Sequence, residues 1–251
     1  MERDAFGAKS GVSVEGVIVE RLLPGELEEV VRGIALQYQK LPVEPRLDKQ
    51  TGLIISEEIG YTVDIEATLA RLRACQPGEN VELRKIVLAP RHRGVEIKNA
   101  QQTVIGSYST WFHGSPARYQ NIATAMRSVN NTLLWPDQVF SFNEFIGPRT
   151  PERGYLPAPV ILNGDLDVGY GGGVCQVSST IYNAALAANL TIIERHSHSK
   201  PVHYVPEGRD AAVDYGGVDL KFKNNRSTAV IIKSSLYNGR LYIELRGAEQ
   251  T

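Results

Sequence analysis

The sequence predicts an α+β protein, with a small α+β domain over residues 1–100 and a β-rich mixed domain over residues 101–251. Three observations support this division. Short β-type runs alternate with helix-period segments in the first part of the chain. Successive β-type runs fill the C-terminal part. Among the strands of the C-terminal part, a glycine run leads into a cysteine-bearing helix, which we expect to pack on a sheet.

The composition narrows the class of protein. With 42% hydrophobic and 22% charged residues, the 251-residue chain is ordinary for a soluble globular protein and long enough for two modest domains. A net charge of -1 and the lack of a basic block argue against a nucleic-acid partner. No run is as long as a membrane span, and the polar start at residues 1–4 is not that of a signal peptide. We expect either a cytoplasmic protein or an ectodomain cut from a longer chain.

In the N-terminal part, residues 12–19 predict a strand or a hairpin, and residues 27–38 carry apolar side chains at helical spacing. Asp64 has the residue type of an N-cap for a second helix. Apolar runs at residues 53–55 and 81–88 predict strands. The polar segment 96–103 is interpreted as a linker to the second domain.

The second domain begins with an aromatic-rich strand, and Ser115-Pro116 then starts a helix. Asn163-Gly164 and Asn238-Gly239 each follow an apolar run, and this dipeptide is a strong hairpin signal. Further strands are predicted at residues 139–142, 160–162, 190–193, 218–222, 229–232 and 241–245.

The glycine run Gly171-Gly172-Gly173 precedes Val174-Cys175, and apolar residues then recur at helical spacing. Cys175 is therefore predicted in the first turn of a helix, where unpaired N–H groups and the helix dipole favour negative charge. The same N–H groups suit a developing oxyanion. The alternative is a packed structural cysteine, since free cysteine is often buried. The other cysteine, Cys75, is expected to be packed, and both thiols are expected to be free.

A cysteine nucleophile needs a base and a group that orients that base. Two histidines, His196 and His198, follow Cys175. If they lie on one strand they share one of its faces, and His203 would point the other way unless Pro201 breaks the register. Residue spacing leaves the choice between His196 and His198 open. The acids that follow the histidines are Asp210, Asp214 and Asp219, and the arginines that suit a substrate carboxylate are Arg149, Arg153 and Arg195.

Two other chemistries fit the sequence poorly. Zinc binding by Cys175 with His196 and His198 would need further ligands, and neither a second nearby cysteine nor a His-Glu-x-x-His helix is present. The glycine run is not followed by Gly-Lys-Ser/Thr, so it is not a phosphate loop. We expect neither a metal nor a cofactor.

Residues from about 106 to 247 resemble the VanW-like domain family, and residues 12 to about 95 resemble the peptidoglycan-binding-like domain that often precedes it. The VanW-like match is long and ordered. Its motifs include Tyr108-Ser109-Thr110, Arg118 with Asn121-Ile122, Phe140-Ser141-Phe142-Asn143, the run from Gly171 to Thr180, Glu194-Arg195, His198-Ser199, Tyr204-Val205-Pro206 and the run from Asp219 to Asn224.

This resemblance implies a bacterial protein that faces the cell wall, outside the cytoplasm, and belongs to a family named after glycopeptide-resistance genes. Some members are regarded as cysteine L,D-transpeptidases that form 3–3 peptidoglycan cross-links. By that resemblance Cys175 would attack a stem peptide, and His198, which matches an Arg-x-x-His-Ser element, would be the base. The residues expected to bind substrate are Gly172, Gly173, Gln176, Ser178, Arg195, Tyr204 and Arg149, and Asp210 and Asp219 are the candidates for orienting the base.

The implied partners are peptidoglycan stem peptides, and any membrane contact would require an anchor that is absent from this chain. The better-known L,D-transpeptidases carry Ser-His-Gly-Cys, which this sequence lacks. A second hypothesis is therefore a non-catalytic peptidoglycan-binding module linked to glycopeptide resistance, with Cys175 as a packed residue.

Overall fold

The structure is a computed structural model that describes residues 2–162 and 165–249. The chain divides into two compact units. The first unit comprises Met1–Pro45 and Ser56–Arg93, and the second comprises Arg46–Ile55 and Gly94–Thr251. A short piece of the N-terminal region therefore belongs to the second unit.

Helices and short strands alternate along the chain. The helices are α1 (Glu2–Phe6), α2 (Pro24–Tyr38), α3 (Ile65–Ala74), α4 (Gly94–Ala100), α5 (Pro116–Val129), α6 (Phe142–Ile146) and α7 (Val174–Ala187), with a 3-10 turn at Pro151–Arg153. The strands are β1 (Ser13–Val14), β2 (Val17–Ile18), β3 (Arg46–Leu47), β4 (Ile54–Ile55), β5 (Gly60–Val63), β6 (Asn80–Val81), β7 (Lys85–Leu88), β8 (Thr103–Trp111), β9 (Thr132–Leu134), β10 (Val139–Ser141), β11 (Pro157–Leu162), β12 (Asp165–Tyr170), β13 (Thr191–Glu194), β14 (Lys221–Lys223), β15 (Val230–Tyr237) and β16 (Arg240–Gly247). Among the described residues, none of these helices combines the length and apolarity needed to cross a membrane.

The first unit is a small α+β assembly. Strand β1 pairs with β2 and β6 in one sheet, and β5 pairs with β7 in a second. Helices α2 and α3 bury apolar faces that include Leu27, Val31 and Leu69 in one shared core. The Asp64 side chain accepts a hydrogen bond from the N–H of Ala67 at 2.9 Å, which confirms the predicted N-cap.

The second unit contains a four-stranded antiparallel sheet with the order β8-β16-β15-β9. Strands β15 and β16 meet at Asn238-Gly239, where both residues have positive φ angles of 48° and 76°. These angles suit the two central positions of a type I′ turn, so the predicted hairpin is confirmed.

Two smaller sheets complete the second unit. Strand β14 pairs with β10 and β13, and β11 pairs with β12 as an antiparallel ribbon. The turn predicted at Asn163-Gly164 lies outside the described residues. Strand β13 matters for the site because it ends at Glu194, just before the histidine-rich segment.

Helix α7 packs on the four-stranded sheet through β8 and β16. Its face with Val177, Ile181 and Ala184 is fully buried in the main core of this unit. Strand β8 passes close to the helix at Gly106, where a Cβ atom would lie 2.5 Å from the backbone nitrogen of Ala188. This packing confirms the predicted α+β class and its cysteine-bearing helix on a sheet.

The predicted linker over residues 96–103 is wrong. Helix α4 occupies Gly94–Ala100 and strand β8 begins at Thr103. Ile97 and Ala100 are fully buried in a small core with Leu47 and Ile231. The segment reads as polar because only one side of this short helix faces that core.

Candidate functional site

The glycine run turns the chain sharply into α7. Gly173 is the N-cap of the helix, with φ 106° and ψ −17°, a backbone conformation that favours glycine. A Cβ atom on Gly172 would lie 2.5 Å from the carbonyl oxygen of Pro159, so no larger residue fits without a shift of the backbone. The turn thereby places Cys175 in the first turn of α7.

Cys175 is half-buried. Its sulfur lies 3.5 Å from the carbonyl oxygen of Val213, and it is near enough to His198 to raise the pKa of that imidazole. Both cysteines are free, as expected, but Cys75 is buried in the first unit. Cys175 is therefore the thiol that combines access to solvent with an imidazole partner.

The His198 ring is fixed by Asp210. Its Nδ1 lies 2.6 Å from Oδ2 of Asp210, and the same oxygen accepts the backbone N–H of His198 at 2.7 Å. Only 8% of the His198 side chain is exposed. Because Nδ1 is engaged with the carboxylate, Nε2 is the ring nitrogen that remains for Cys175.

The charge state of His198 follows from these neighbours. Burial disfavours the charged ring, but the hydrogen bond and the charge of Cys175, together with those of Asp210, outweigh burial and raise the pKa of His198. The geometry thus favours a protonated ring between two acidic groups.

Arg195 holds the other side of the acid. Its Nη2 donates to Oδ1 of Asp210 at 2.7 Å, and its Nε donates to the Asp210 carbonyl oxygen at 2.6 Å. Burial opposes the charge of the carboxylate, yet the hydrogen bonds from His198 and the nearby cations lower the pKa of Asp210. Arg195, predicted to contact substrate, is used here to position Asp210.

The other candidate acid, Asp219, is not close to the imidazole. Its carboxylate accepts the Ser141 hydroxyl at 2.6 Å and the Asn143 N–H at 2.9 Å, at the start of α6. The structure therefore pairs His198 with Asp210, and Asp219 stabilises a neighbouring turn.

His196 also lies apart from the sulfur. Its Nε2 is 3.1 Å from Oε1 of Glu194, and 45% of its side chain is exposed. His196 and His198 do not lie on one strand, because β13 ends at Glu194 and an isolated bridge from His196 to Ala212 follows. The irregular backbone after that bridge carries His198 towards Cys175.

Two arginines flank the site. Arg118, on the first turn of α5, donates from Nη2 to Oε1 of Gln176 at 2.9 Å. Arg149 donates to Oδ1 of Asn143 at 2.7 Å. The charge of Cys175 acts on both guanidinium groups. Arg149 was expected near substrate, whereas Arg118 was missed as a site residue, although it lies in one of the motifs shared with the VanW-like family.

Several predicted binding residues form the walls of the site. Gln176 is 1% exposed and donates from Nε2 to Thr110 Oγ1 and to the Trp111 carbonyl, both at 3.0 Å. Ser178 is fully buried and donates to the Ala211 carbonyl at 2.6 Å. Their side chains are thus engaged within the protein, and direct substrate binding stays a prediction for Gly172, Gly173, Gln176 and Ser178.

Tyr204 covers one side of the imidazole. Its ring meets that of His198 edge-on, with centroids 6.5 Å apart. Burial and the charge of Cys175 raise the pKa of the Tyr204 hydroxyl, so it stays neutral. The tyrosine therefore shields the dyad without adding charge.

The arrangement has three groups that nucleophilic catalysis uses: a sulfur, an imidazole whose pKa that sulfur raises, and a carboxylate that fixes the imidazole. In the part of the chain that the structure describes, no group of three or more histidine, cysteine or acidic side chains is placed to hold a metal ion.

Fold and site together define an α+β protein with a Cys–His–Asp cluster at the start of a buried helix. The family model described as VanW like protein matches residues 117–246. The chain belongs to the VanW-like family, which confirms the resemblance seen in the sequence. A peptidoglycan-binding role for the first unit stays a prediction.

Two curated relatives match this chain. YoaR, an uncharacterized protein of Bacillus subtilis strain 168, is 35% identical over 202 residues, which cover 79% of this chain and 67% of YoaR. The vancomycin B-type resistance protein VanW of Enterococcus faecalis is 31% identical over 110 residues, which cover 42% of this chain and 40% of VanW. No solved structure matches the chain.

Proposed function

We propose that this protein is a cysteine acyl-transferase of the bacterial cell wall, an L,D-transpeptidase that forms 3–3 cross-links through an acyl-enzyme on Cys175. The observation that carries this proposal is the arrangement of Cys175, His198 and Asp210, in which Asp210 fixes the ring at 2.6 Å and both acidic groups raise the pKa of the imidazole. A thiol packed only for stability needs no buried imidazole with its own carboxylate. The family and the vancomycin-resistance name of one relative support the cell wall as its place of action.

In the first half-reaction, the Cys175 thiolate attacks the carbonyl carbon between the third residue and the terminal D-Ala of a stem peptide. In the first turn of α7 the N–H groups of Val174 and Gln176 donate to carbonyl oxygens of the glycine turn, so the backbone N–H of Cys175 itself is the proposed donor to the developing oxyanion. As the C–N bond breaks, His198 gives its proton to the leaving amine of D-Ala. A thioester on Cys175 results.

In the second half-reaction, the side-chain amine of a diamino acid in another stem peptide attacks the thioester. His198 takes a proton from this amine as the new amide bond forms. The thiolate leaves and is stabilised again by the protonated ring. Asp210 keeps Nε2 directed at the sulfur in both steps.

This reaction takes place outside the cytoplasm, where the stem peptides are cross-linked. The proposed location is therefore the cell-wall side of the membrane. No metal or cofactor is required, because thiolate, imidazole and carboxylate supply the acid–base and nucleophilic chemistry.

The test is product formation from purified disaccharide-tetrapeptide muropeptides, followed by mass spectrometry. We expect 3–3 dimers and free D-Ala with the wild-type protein, and a loss of about 10³-fold or more in Cys175→Ala. Cys75→Ala is the matched control, because this free thiol is buried in the first unit. Dimers formed at the wild-type rate by Cys175→Ala would exclude the proposed mechanism.

A non-catalytic binding module would give a different pattern in the same set of proteins. Wild type and Cys175→Ala would both sediment with insoluble peptidoglycan, and neither would form dimers. Native Cys175 would then resist alkylation. The half-buried position of its sulfur beside His198 argues for the reactive outcome.

A further inference from the structure

Two arginine side chains reach the glycine turn that carries Cys175. The side chain of Arg118 passes Gly173, with its Cγ 3.1 Å from the position of an added Cβ. The side chain of Arg149 passes Gly171, with its Cγ 2.8 Å from the corresponding position. The two arginine side chains therefore pass the same short turn from different elements.

Arg118 is held in place by a neutral partner. Its Nη2 donates to Gln176, the residue after Cys175, and Gln176 is itself fixed by Thr110 and Trp111. Within the described residues, no carboxylate lies within ion-pair distance of Arg118. The guanidinium is thus positioned at the site while its charge is left uncompensated by an acid.

Arg149 is held in a similar way. Its Nη1 and Nη2 donate to the Gly147 carbonyl at 3.1 Å and to Asn143 Oδ1 at 2.7 Å. The rings of Phe142 and Tyr215 lie 5.8 and 5.9 Å from the guanidinium carbon. Neutral acceptors and aromatic rings fix the side chain, and the charges of Asp214 and Asp219 act on it without forming an ion pair among the described residues.

We infer that Arg118 and Arg149 form a carboxylate-binding subsite beside Cys175, which selects acyl donors whose released residue carries a free C-terminal carboxylate. Arginine is suited to this task because its planar fork matches a carboxylate with two hydrogen bonds. The identity of the acyl donor rests on the proposed function. The presence of the carboxylate-binding subsite does not depend on it.

The electrostatics of the two arginines agree with this assignment. Burial lowers the pKa of Arg118 and of Arg149, and nearby acidic groups oppose that effect: Tyr204 and Cys175 at Arg118, and Tyr155, Cys175, Asp214 and Asp219 at Arg149. A partly buried cation that forms no ion pair is stabilised by an incoming anion. The C-terminal carboxylate of the leaving residue would be that anion. Its binding to the arginines would place the scissile bond next to the sulfur of Cys175.

The experiment compares two alkylating agents of similar size at Cys175. Iodoacetate and iodoacetamide both form an S–C bond and release iodide, but only iodoacetate carries a carboxylate. The ratio of their rates at one pH and ionic strength therefore removes the common dependence on thiolate content. Rates are measured by peptide mapping in wild type, Arg118→Gln, Arg118→Lys, Arg149→Gln and the double glutamine variant.

We expect the iodoacetate-to-iodoacetamide ratio to fall about fivefold in Arg118→Gln and further in the double variant, because each removes one charge near the reacting anion. Arg118→Lys keeps the charge and should give an intermediate ratio. Arg32→Gln is the matched control, since Arg32 pairs with Glu28 on an exposed helix face and should leave the ratio unchanged. A wild-type ratio in folded Arg118→Gln and in Arg149→Gln would overturn the subsite.

This result is separable from the proposed reaction. A fall in the ratio without any 3–3 dimers would keep the carboxylate subsite and remove the transpeptidase. Dimers with an unchanged ratio would keep the transpeptidase and remove the subsite. When both hold, a stem tetrapeptide with a C-terminal amide should be a poorer donor than the free acid in wild type, and this difference should shrink in Arg118→Gln.

Discussion

Asp210 connects three parts of the site through one carboxylate. Oδ2 accepts two hydrogen bonds from His198, one from the backbone and one from the ring, and Oδ1 accepts one from Arg195. A single side chain thus sets the position, orientation and charge of the imidazole. Removing its charge should affect His198 more than any other residue.

Asp210→Asn keeps the shape of the side chain and removes the charge. We expect a lower pKa for His198 than in wild type, because the acid is one of the groups that raise it. Titration of the imidazole by NMR measures this directly. We also expect product formation to fall by about 10²-fold or more, since the ring loses its orienting partner. An unchanged His198 pKa would show that the carboxylate does not act on the ring.

The raised pKa of His198 also makes stability depend on pH. A group whose folded pKa lies above its unfolded value of about 6.5 contributes stability that is fully present below that value. This contribution is lost as the pH rises through the folded pKa. Urea unfolding of wild type should therefore lose more stability over this range than His198→Gln does; parallel profiles would contradict the pKa shift.

His196 offers the matched comparison with His198. Its side chain is exposed and contacts Glu194, so His196→Gln should change stability by less than about 0.5 kcal/mol and leave product formation intact. His198→Gln should abolish product formation. Similar losses in both variants, measured in the muropeptide assay, would contradict the assignment of the base.

At this scale the sequence predicts the position of Cys175 better than the side chains that surround it. The glycines and the helical spacing place Cys175 correctly, because both are local signals. The choices between His196 and His198, and between Asp210 and Asp219, depend on where β13 ends and on how the chain returns to α7. These are long-range features that residue spacing does not encode.

Among the elements, the turn into α7 has the tightest constraints. Gly173 combines a φ of 106° with side chains of Ile122 and Arg118 within 3.1 Å of an added Cβ. Gly208 also has a positive φ, 75°, but an added Cβ there would meet nothing within 4 Å. An added methyl group would therefore meet backbone strain at both positions, but steric crowding only at Gly173.

Gly173→Ala should be less stable than wild type by about 1–3 kcal/mol and should alkylate more slowly at Cys175, because strain and crowding both displace the turn. Gly208→Ala should carry only the strain and leave the alkylation rate unchanged. Thermal unfolding and iodoacetamide kinetics test this pair. Equal rates in the two variants would show that the turn does not position the sulfur.

Strong periodicity made most of the larger elements predictable. Helices α2 and α7 and the β15–β16 hairpin each carry several aligned signals, and the structure contains all three. Helix α4 was missed because only Ile97 and Ala100 mark its buried face. Two apolar positions do not separate a short helix from a polar loop.

For the molecule as a whole, the notable feature is the segment Arg46–Ile55, which belongs to the second unit. Leu47 is buried there with Ile97, Ala100 and Ile231. Nothing local in the sequence distinguishes this segment from the rest of the N-terminal region. Its membership is set by contacts with residues far along the chain.

Leu47→Ala should therefore destabilise the second unit by about 2–4 kcal/mol, through lost burial and a cavity. Both tryptophans, Trp111 and Trp135, lie in that unit, so urea unfolding followed by tryptophan fluorescence reports on it. Leu53→Ala is the control, since Leu53 is 67% exposed and should cost less than about 0.5 kcal/mol. Equal midpoints for both variants would contradict the assignment of the segment.

The central claim is that Cys175 and His198 act as one reactive pair. Its most direct test is the pH dependence of Cys175 alkylation by iodoacetamide in wild type and His198→Gln, mapped to the residue by mass spectrometry. If the protonated ring supports the thiolate, wild type keeps much of its rate at about pH 6, and His198→Gln loses most of its rate there. Superimposable profiles, or a wild-type sulfur that does not react, would contradict the pair.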